Sequence, residues 1–233
     1  LPSVCIIFGL LSLMFVELDR RTYTSDFFNS SSGNIEIIKS TSPSKEFIII
    51  GHGFAGSKEM MRQIAYDVAK AGSNAVLFDF IGHGSNQQKL VNEPTEITGT
   101  TQQLVDQLSS IIKFIYAKFG NEISISLVGH SMASDIVIRA SADKRIKSVV
   151  AISPYSTGIT KDFPKDLLLI SGQFENHLRS HALKMVKTFR PDAEENTGYT
   201  DERIRRKASY IKNTGHVSVI YAPQTTKIIV NWL

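Results

Sequence analysis

The chain has 233 residues, a hydrophobic content of 42%, a charged content of 21% and a formal net charge of only +4. These values exclude disordered, collagenous and low-complexity classes and leave one ordinary globular domain large enough to bury a sizeable core. Cys5 stands alone, which excludes an intrachain disulfide framework.

Residues 1–16 are nearly all apolar and are followed by Glu17-Leu18-Asp19-Arg20-Arg21. The run is shorter than the roughly 20 residues that span a bilayer, and it lacks the basic start and small-residue cleavage site of a signal peptide. It is read as an apolar leader, the remnant of a membrane anchor, with a terminal element packed on the domain as the alternative. Residues 17–233 form the domain itself. The polar cluster Asn29-Ser30-Ser31-Ser32-Gly33-Asn34 fits a hairpin turn between two early strands.

From residue 47 onward short apolar strands alternate with helical periodicity, the pattern of a mostly parallel sheet flanked by helices on both faces. Phe47-Ile48-Ile49-Ile50 is a buried strand, followed by Gly51-His52-Gly53-Phe54-Ala55-Gly56-Ser57. The glycines allow a sharp backbone turn that can aim the Phe54 amide at a developing alkoxide. Met61, Ile64, Ala65 and Val68 recur at helical spacing, Asn74 to Phe80 is the next strand, and Leu104, Leu108, Ile111, Ile112 and Ile115 line a longer helix that Gly120 stops.

The most informative stretch follows. Ile123-Ser124-Ile125-Ser126-Leu127-Val128 runs directly into Gly129-His130-Ser131-Met132-Ala133, and a helix-compatible segment comes after. Strand, abrupt turn and helix are the setting of a nucleophile elbow, in which a strained serine needs small residues two positions away on each side. Gly129 and Ala133 meet that need. The Met132 amide at the start of the helix is the second candidate oxyanion donor beside Phe54. His130, with His52 and Gly53, is assigned to the substrate-binding wall, although packing beneath the elbow is the plainer reading of His130.

Beyond the elbow, Ser148 to Ser153 reads as a strand, and only the stretch from Pro154 to Lys165 separates it from Asp166-Leu167-Leu168-Leu169-Ile170-Ser171-Gly172. Glu175 lies three positions past Gly172, where a carboxylate can orient an imidazole. A helix around His181 to Phe189 and a polar loop from Pro191 to Asp201 come next; the loop is either a mobile wall over the site or plain surface. Arg203, Arg205, Arg206 and Lys207 form a basic run before the strand at Ala208 to Ile211 and read as a solvated face. His216 follows on a loop, and Pro223 opens a terminal helix.

Together these motifs resemble those of the α/β-hydrolase superfamily, most closely its single-domain serine esterases and lipases. The resemblance spans about residues 45–233 and includes His52-Gly53-Phe54 and Asp79-Phe80-Ile81-Gly82-His83-Gly84-Ser85, which is similar to a loop after the fourth strand in many members. It departs from the family pattern at Ala133, where a second glycine is usual, and at Glu175, where Asp is commoner. The order Ser131, Glu175, His216 is the family's order of nucleophile, acid and base.

The resemblance implies a hydrolase with Ser131, Glu175 and His216 as catalytic residues and no large cap domain, since the short 154–165 stretch occupies the usual place of a lid. It implies a small-molecule ester or lipid as substrate and neither cofactor nor metal. Peptidase, thioesterase or lipid-directed acyltransferase chemistry would use the same machinery, and a catalytically silent binding protein could keep the fold. His177 and His181 are four apart, one metal-ligand spacing, but no third ligand is evident. No nucleic-acid motif accompanies the basic run. Membrane contact through residues 1–16 and a cytoplasmic location both stay open.

Overall fold

The computed structural model describes Ile6, residues 23–91 and residues 97–233. Apart from Ile6, the apolar leader lies outside the described residues. Among the described residues nine strands form one sheet in the order β1-β2-β4-β3-β5-β6-β7-β9-β8. Their ranges are β1 Ser25–Ser30, β2 Gly33–Ile38, β3 Glu46–Gly51, β4 Asn74–Phe78, β5 Ser124–His130, β6 Ile146–Ile152, β7 Asp166–Gly172, β8 Gly198–Thr200 and β9 Arg205–Ile211. The six strands from β4 across to β9 run parallel. β2 is antiparallel to β4, β1 pairs antiparallel with β2 as the expected hairpin, and β8 is an antiparallel edge.

Burial on both faces explains the continuous apolar runs of the inner strands. In β5 every residue after Ser124 is buried. Alternating side chains feed two cores. Ile49, Leu127, Val149 and Leu169 face the helices α2 (Gln102–Phe119) and α3 (Met132–Ala140), which contribute Leu108, Ile112 and Val137. Ile48, Val128, Val150 and Ile170 face the opposite layer, where α1 (Arg62–Lys70) brings Ile64 and Val68 and α5 (Pro223–Trp232) brings Ile229. Helix α4 (Asn176–Lys187) packs its Ala182, Met185 and Val186 on the first side.

Two features depart from the sequence reading. The basic run is not a solvated face throughout, because β9 begins at Arg205 and strand alternation turns Arg206 fully inward. Its guanidinium donates to the Pro164 carbonyl at 2.9 Å and to Thr188 Oγ1 at 3.0 Å. Burial pushes its pKa down to about 10. The polar loop after α4 also contains the short edge strand β8, where Tyr199 pairs with Arg206.

The connection from β6 to β7 crosses directly, without an inserted domain. β5 occupies the middle of the nine-stranded order, so the ends of β3, β5, β6, β7 and β9 converge on one carboxyl edge. That edge is where open α/β sheets gather their reactive groups. Among the described residues no helix is long and apolar enough to cross a membrane.

Candidate active site

Ser131 stands between β5 and α3 with φ 54° and ψ −116°, a conformation that a residue with a Cβ adopts only where its surroundings force it. The forcing is visible at Gly129. A Cβ there would collide with the Ala133 backbone carbonyl, so strand and helix meet at a separation only glycine permits. Ala133 is fully buried, and its small methyl group is accommodated at this close approach.

The Ser131 hydroxyl lies 2.8 Å from His216 Nε2, and His216 Nδ1 lies 2.6 Å from Glu175 Oε1. The self-consistent arrangement has the serine donating to Nε2 and Nδ1–H donating to the carboxylate. His216 is 47% exposed while Glu175 is 6% exposed, so the imidazole faces the solvent side and the acid sits behind it. The second carboxylate oxygen accepts from Ser153 Oγ at 2.8 Å and from the Gly172 N–H at 2.5 Å. Glu175 comes from the turn before α4, His216 from the loop after β9 and Ser153 from the end of β6. The structure therefore brings the three residues chosen from sequence into one hydrogen-bonded chain.

A cavity of about 370 Å³ opens at this chain, lined by Ser131, His216 and Phe54 together with Leu90, Leu104, Met132, Ile136, Tyr155 and Leu178. Cavities of about 550 and 490 Å³ lie elsewhere and contain none of these three catalytic candidates. The Met132 amide opens α3, where first-turn N–H groups have no acceptor within the helix. Phe54 borders the cavity from the loop after β3.

The residues assigned to a substrate-binding wall are placed differently. His52 is fully buried and does not line the cavity. The Phe80 N–H donates to its Nε2 at 3.0 Å, which leaves the proton on Nδ1 to donate to the Gly53 carbonyl at 2.8 Å. Burial holds the His52 pKa below the ordinary histidine value and keeps it neutral. Its ring fixes the carbonyl of the residue just before Phe54. Gly53 and His130 are also buried and do not line the cavity. Sequence position alone could not separate these roles, because wall and support lie on the same loops.

Other residues line the cavity too: His83, for which pocket wall and loop support were both open readings of the sequence, and Tyr155 and Asp135, which the sequence did not single out. His83 stands edge-on to Phe54 at 5.5 Å between ring centroids. Tyr155 stacks on His181 at 4.6 Å, which accounts for one member of the His177/His181 pair; His177 is exposed. Asp135 is bound by Arg139 and by the Ser156 hydroxyl. Asp79, the rival carboxylate, accepts from the Lys58 and Ser85 amides and holds the Gly-His-Gly loop. Among the described residues no group of three or more His, Cys, Asp or Glu side chains is arranged to hold a metal.

Residues 46–223 match the alpha/beta hydrolase fold family. The chain belongs to that family. Among solved structures, the Pyrococcus furiosus esterase Pf2001 superimposes with a TM-score of 0.64 at 17% identity, over 91% of each chain. XC6422 from Xanthomonas campestris, described as a serine hydrolase without a lid, gives 0.61 at 15% identity, over 90% of each chain. A dienelactone hydrolase from Anabaena variabilis gives 0.62 at 14% identity, over 90% of this chain and 94% of that one. At these identities the likeness is one of fold. A comparison with curated proteins finds no match.

Proposed function

We propose that this α/β-hydrolase cleaves carboxylic esters of short to medium acyl chain through an acyl-enzyme on Ser131. The carrying observation is the chain Ser131–His216–Glu175, with contacts of 2.8 and 2.6 Å, whose serine and histidine line a largely apolar cavity. In this reading Ser131 Oγ attacks the acyl carbon and its proton passes to His216 Nε2. The oxyanion takes hydrogen bonds from the Phe54 and Met132 amides, each worth about 2.7–4 kcal/mol in comparable sites. The carbon–oxygen bond to the alcohol then breaks, and Nε2 returns the proton to the leaving oxygen. Water repeats the sequence, giving up its proton to His216 and releasing the acid and free Ser131. Glu175 keeps Nδ1 protonated and stabilises the imidazolium.

The chain-length assignment rests on the open, uncapped site and a cavity of about 370 Å³. A second reading, lipid-directed hydrolysis, draws on the exposed apolar residues Phe54, Phe174 and Val217 beside the same groups. Hydrolysis of p-nitrophenyl esters from acetate to palmitate, run beside Ser131→Ala, tests both. The proposal expects a maximum at short to medium chains and a loss on the order of 10⁶ in kcat in the variant. A maximum at palmitate would favour the lipid reading. Activity unaffected by Ser131→Ala would overturn both.

A further inference from the structure

His130 occupies the variable position of the elbow, and the hydrolytic scheme gives it no task. It is 3% exposed, and its Nε2 lies 2.8 Å from the backbone carbonyl of His216, 86 residues later in the chain. The two imidazoles are 5.0 Å apart between centroids. A carbonyl only accepts, so this contact requires a proton on Nε2. His130 Nδ1 is then bare, and it is a buried atom without a hydrogen-bond partner.

That bare nitrogen faces Gly53. A Cβ at residue 53 would stand 3.1 Å from His130 Nδ1 and 3.2 Å from Ser131 Cβ, so the oxyanion-side loop lies directly over the ring. A proton on Nδ1 would find no acceptor there. The groups acting on His130 are consistent with a neutral ring: burial first, then the neighbouring His216 and His52 oppose its protonation, while the His216 carbonyl and Glu175 favour it, and the net direction is downward.

We infer that His130 is a positioning residue for His216: its Nε2–H anchors the catalytic histidine's own backbone carbonyl to the strand that carries Ser131. Nucleophile and base come from segments far apart in sequence, and the imidazole is 47% exposed, with little packing to hold it. One donor from the residue adjoining the nucleophile ties the His216 loop to the elbow at the backbone. The side-chain contacts to Ser131 and Glu175 then form from a fixed Cα. The inference rests on the roles proposed for Ser131 and His216.

The test compares wild type with His130→Leu, which removes the donor, and His130→Gln, whose amide can donate to the same carbonyl. The readouts are kcat and KM for p-nitrophenyl butyrate, the rate at which a fluorophosphonate labels Ser131, and thermal melts. Nitrogen-15 NMR of labelled histidines in the wild-type protein reads the tautomer directly.

The expected result is about a tenfold or greater loss of kcat and labelling rate in His130→Leu, the equivalent of one hydrogen bond, with KM little changed. His130→Gln should recover most of the loss, and the wild-type spectrum should show His130 protonated on Nε2 alone. Leu as active as wild type, Gln no better than Leu at equal stability, or a proton on Nδ1 would each overturn the inference. Wild-type protein that neither hydrolyses esters nor labels at Ser131 would instead sink the hydrolase reading. The NMR measurement still decides the tautomer in that case, and with it the anchor.

Discussion

Ser153, at the end of β6 with φ 50°, donates its hydroxyl to Glu175 Oε2 at 2.8 Å. The residue spends a left-handed backbone conformation to place that hydroxyl, and the oxygen it reaches is the one His216 does not use. Two donors, Ser153 Oγ and the Gly172 N–H, thereby leave Oε1 free for Nδ1. Ser153→Ala removes one of them from a charged acceptor. A cost of about 1.5 kcal/mol follows, roughly tenfold in kcat, with KM within a factor of about two. Steady-state kinetics on p-nitrophenyl butyrate checks this, and an unchanged kcat would show that Gly172 alone suffices.

Glu175→Gln keeps the size of the acid but removes its charge. The amide can neither stabilise an imidazolium nor reliably select the Nδ1–H tautomer. The expected loss is on the order of 10³–10⁴ in kcat, smaller than for Ser131→Ala. Full activity in this variant, with another carboxylate proving essential, would remove Glu175 from the acid's role.

Away from the site, Glu36 on β2 is almost wholly buried and is held by Arg62 at 2.7 Å and Lys58 at 3.1 Å. Burial raises its pKa, but hydrogen bonds from Arg62 and Lys58 outweigh burial and leave it below the ordinary value of 4.5. The unfolded chain therefore binds this proton more readily than the folded one. The stabilisation is complete above pH 4.5 and drains away as pH falls through the lower folded value. Glu36→Gln leaves two cations without their buried partner and should cost on the order of 3 kcal/mol in urea melts at pH 7. The wild-type advantage should shrink as the melts are repeated toward pH 3; a constant difference would assign the loss to packing.

Arg206 offers a contrasting case, because its hydrogen-bond acceptors, Pro164 and Thr188, are neutral. Both belong to segments that join β7 and its neighbours on the side away from the catalytic edge. Arg206→Ala deletes three donated hydrogen bonds and a fully buried side chain, so a loss of about 3 kcal/mol is expected, with kcat preserved in the surviving folded protein. Equal urea midpoints for variant and wild type would show that water replaces the guanidinium.

Much of this was legible in the chain, for identifiable reasons. The inner strands are buried on both faces and so read as unbroken apolar runs, which fixed the positions of Ser131, Glu175 and His216 at strand ends. The turn chemistry at Gly129 announced the elbow because no other residue survives that approach. What pattern could not supply was direction. His52 and His130 carry the residue type of a binding wall, yet both point inward to carbonyls, and nothing in their spacing distinguishes the two cases. Arg206 misled for a related reason: a charge run suggests solvent, whereas strand alternation buried its middle member. Tyr155 enters the cavity from an irregular loop, where no period exists to read.

The cavity wall gives the last prediction. Leu90 lines it from the loop after β4 and is only half-buried, whereas Leu104 and Ile136 belong to the packed core. Leu90→Trp therefore adds bulk at the cavity from a partly buried position that packs against the edge of that core rather than within it. If the acyl chain lies along this wall, each methylene displaced should cost about 1 kcal/mol or more in transition-state binding. The ratio of kcat/KM for octanoate over acetate should fall about tenfold or more, with the acetate value nearly unchanged. A uniform fall across the series would mean that Leu90 shapes the loop rather than the acyl site, and an unchanged series would place the chain against Tyr155 and Leu178 instead.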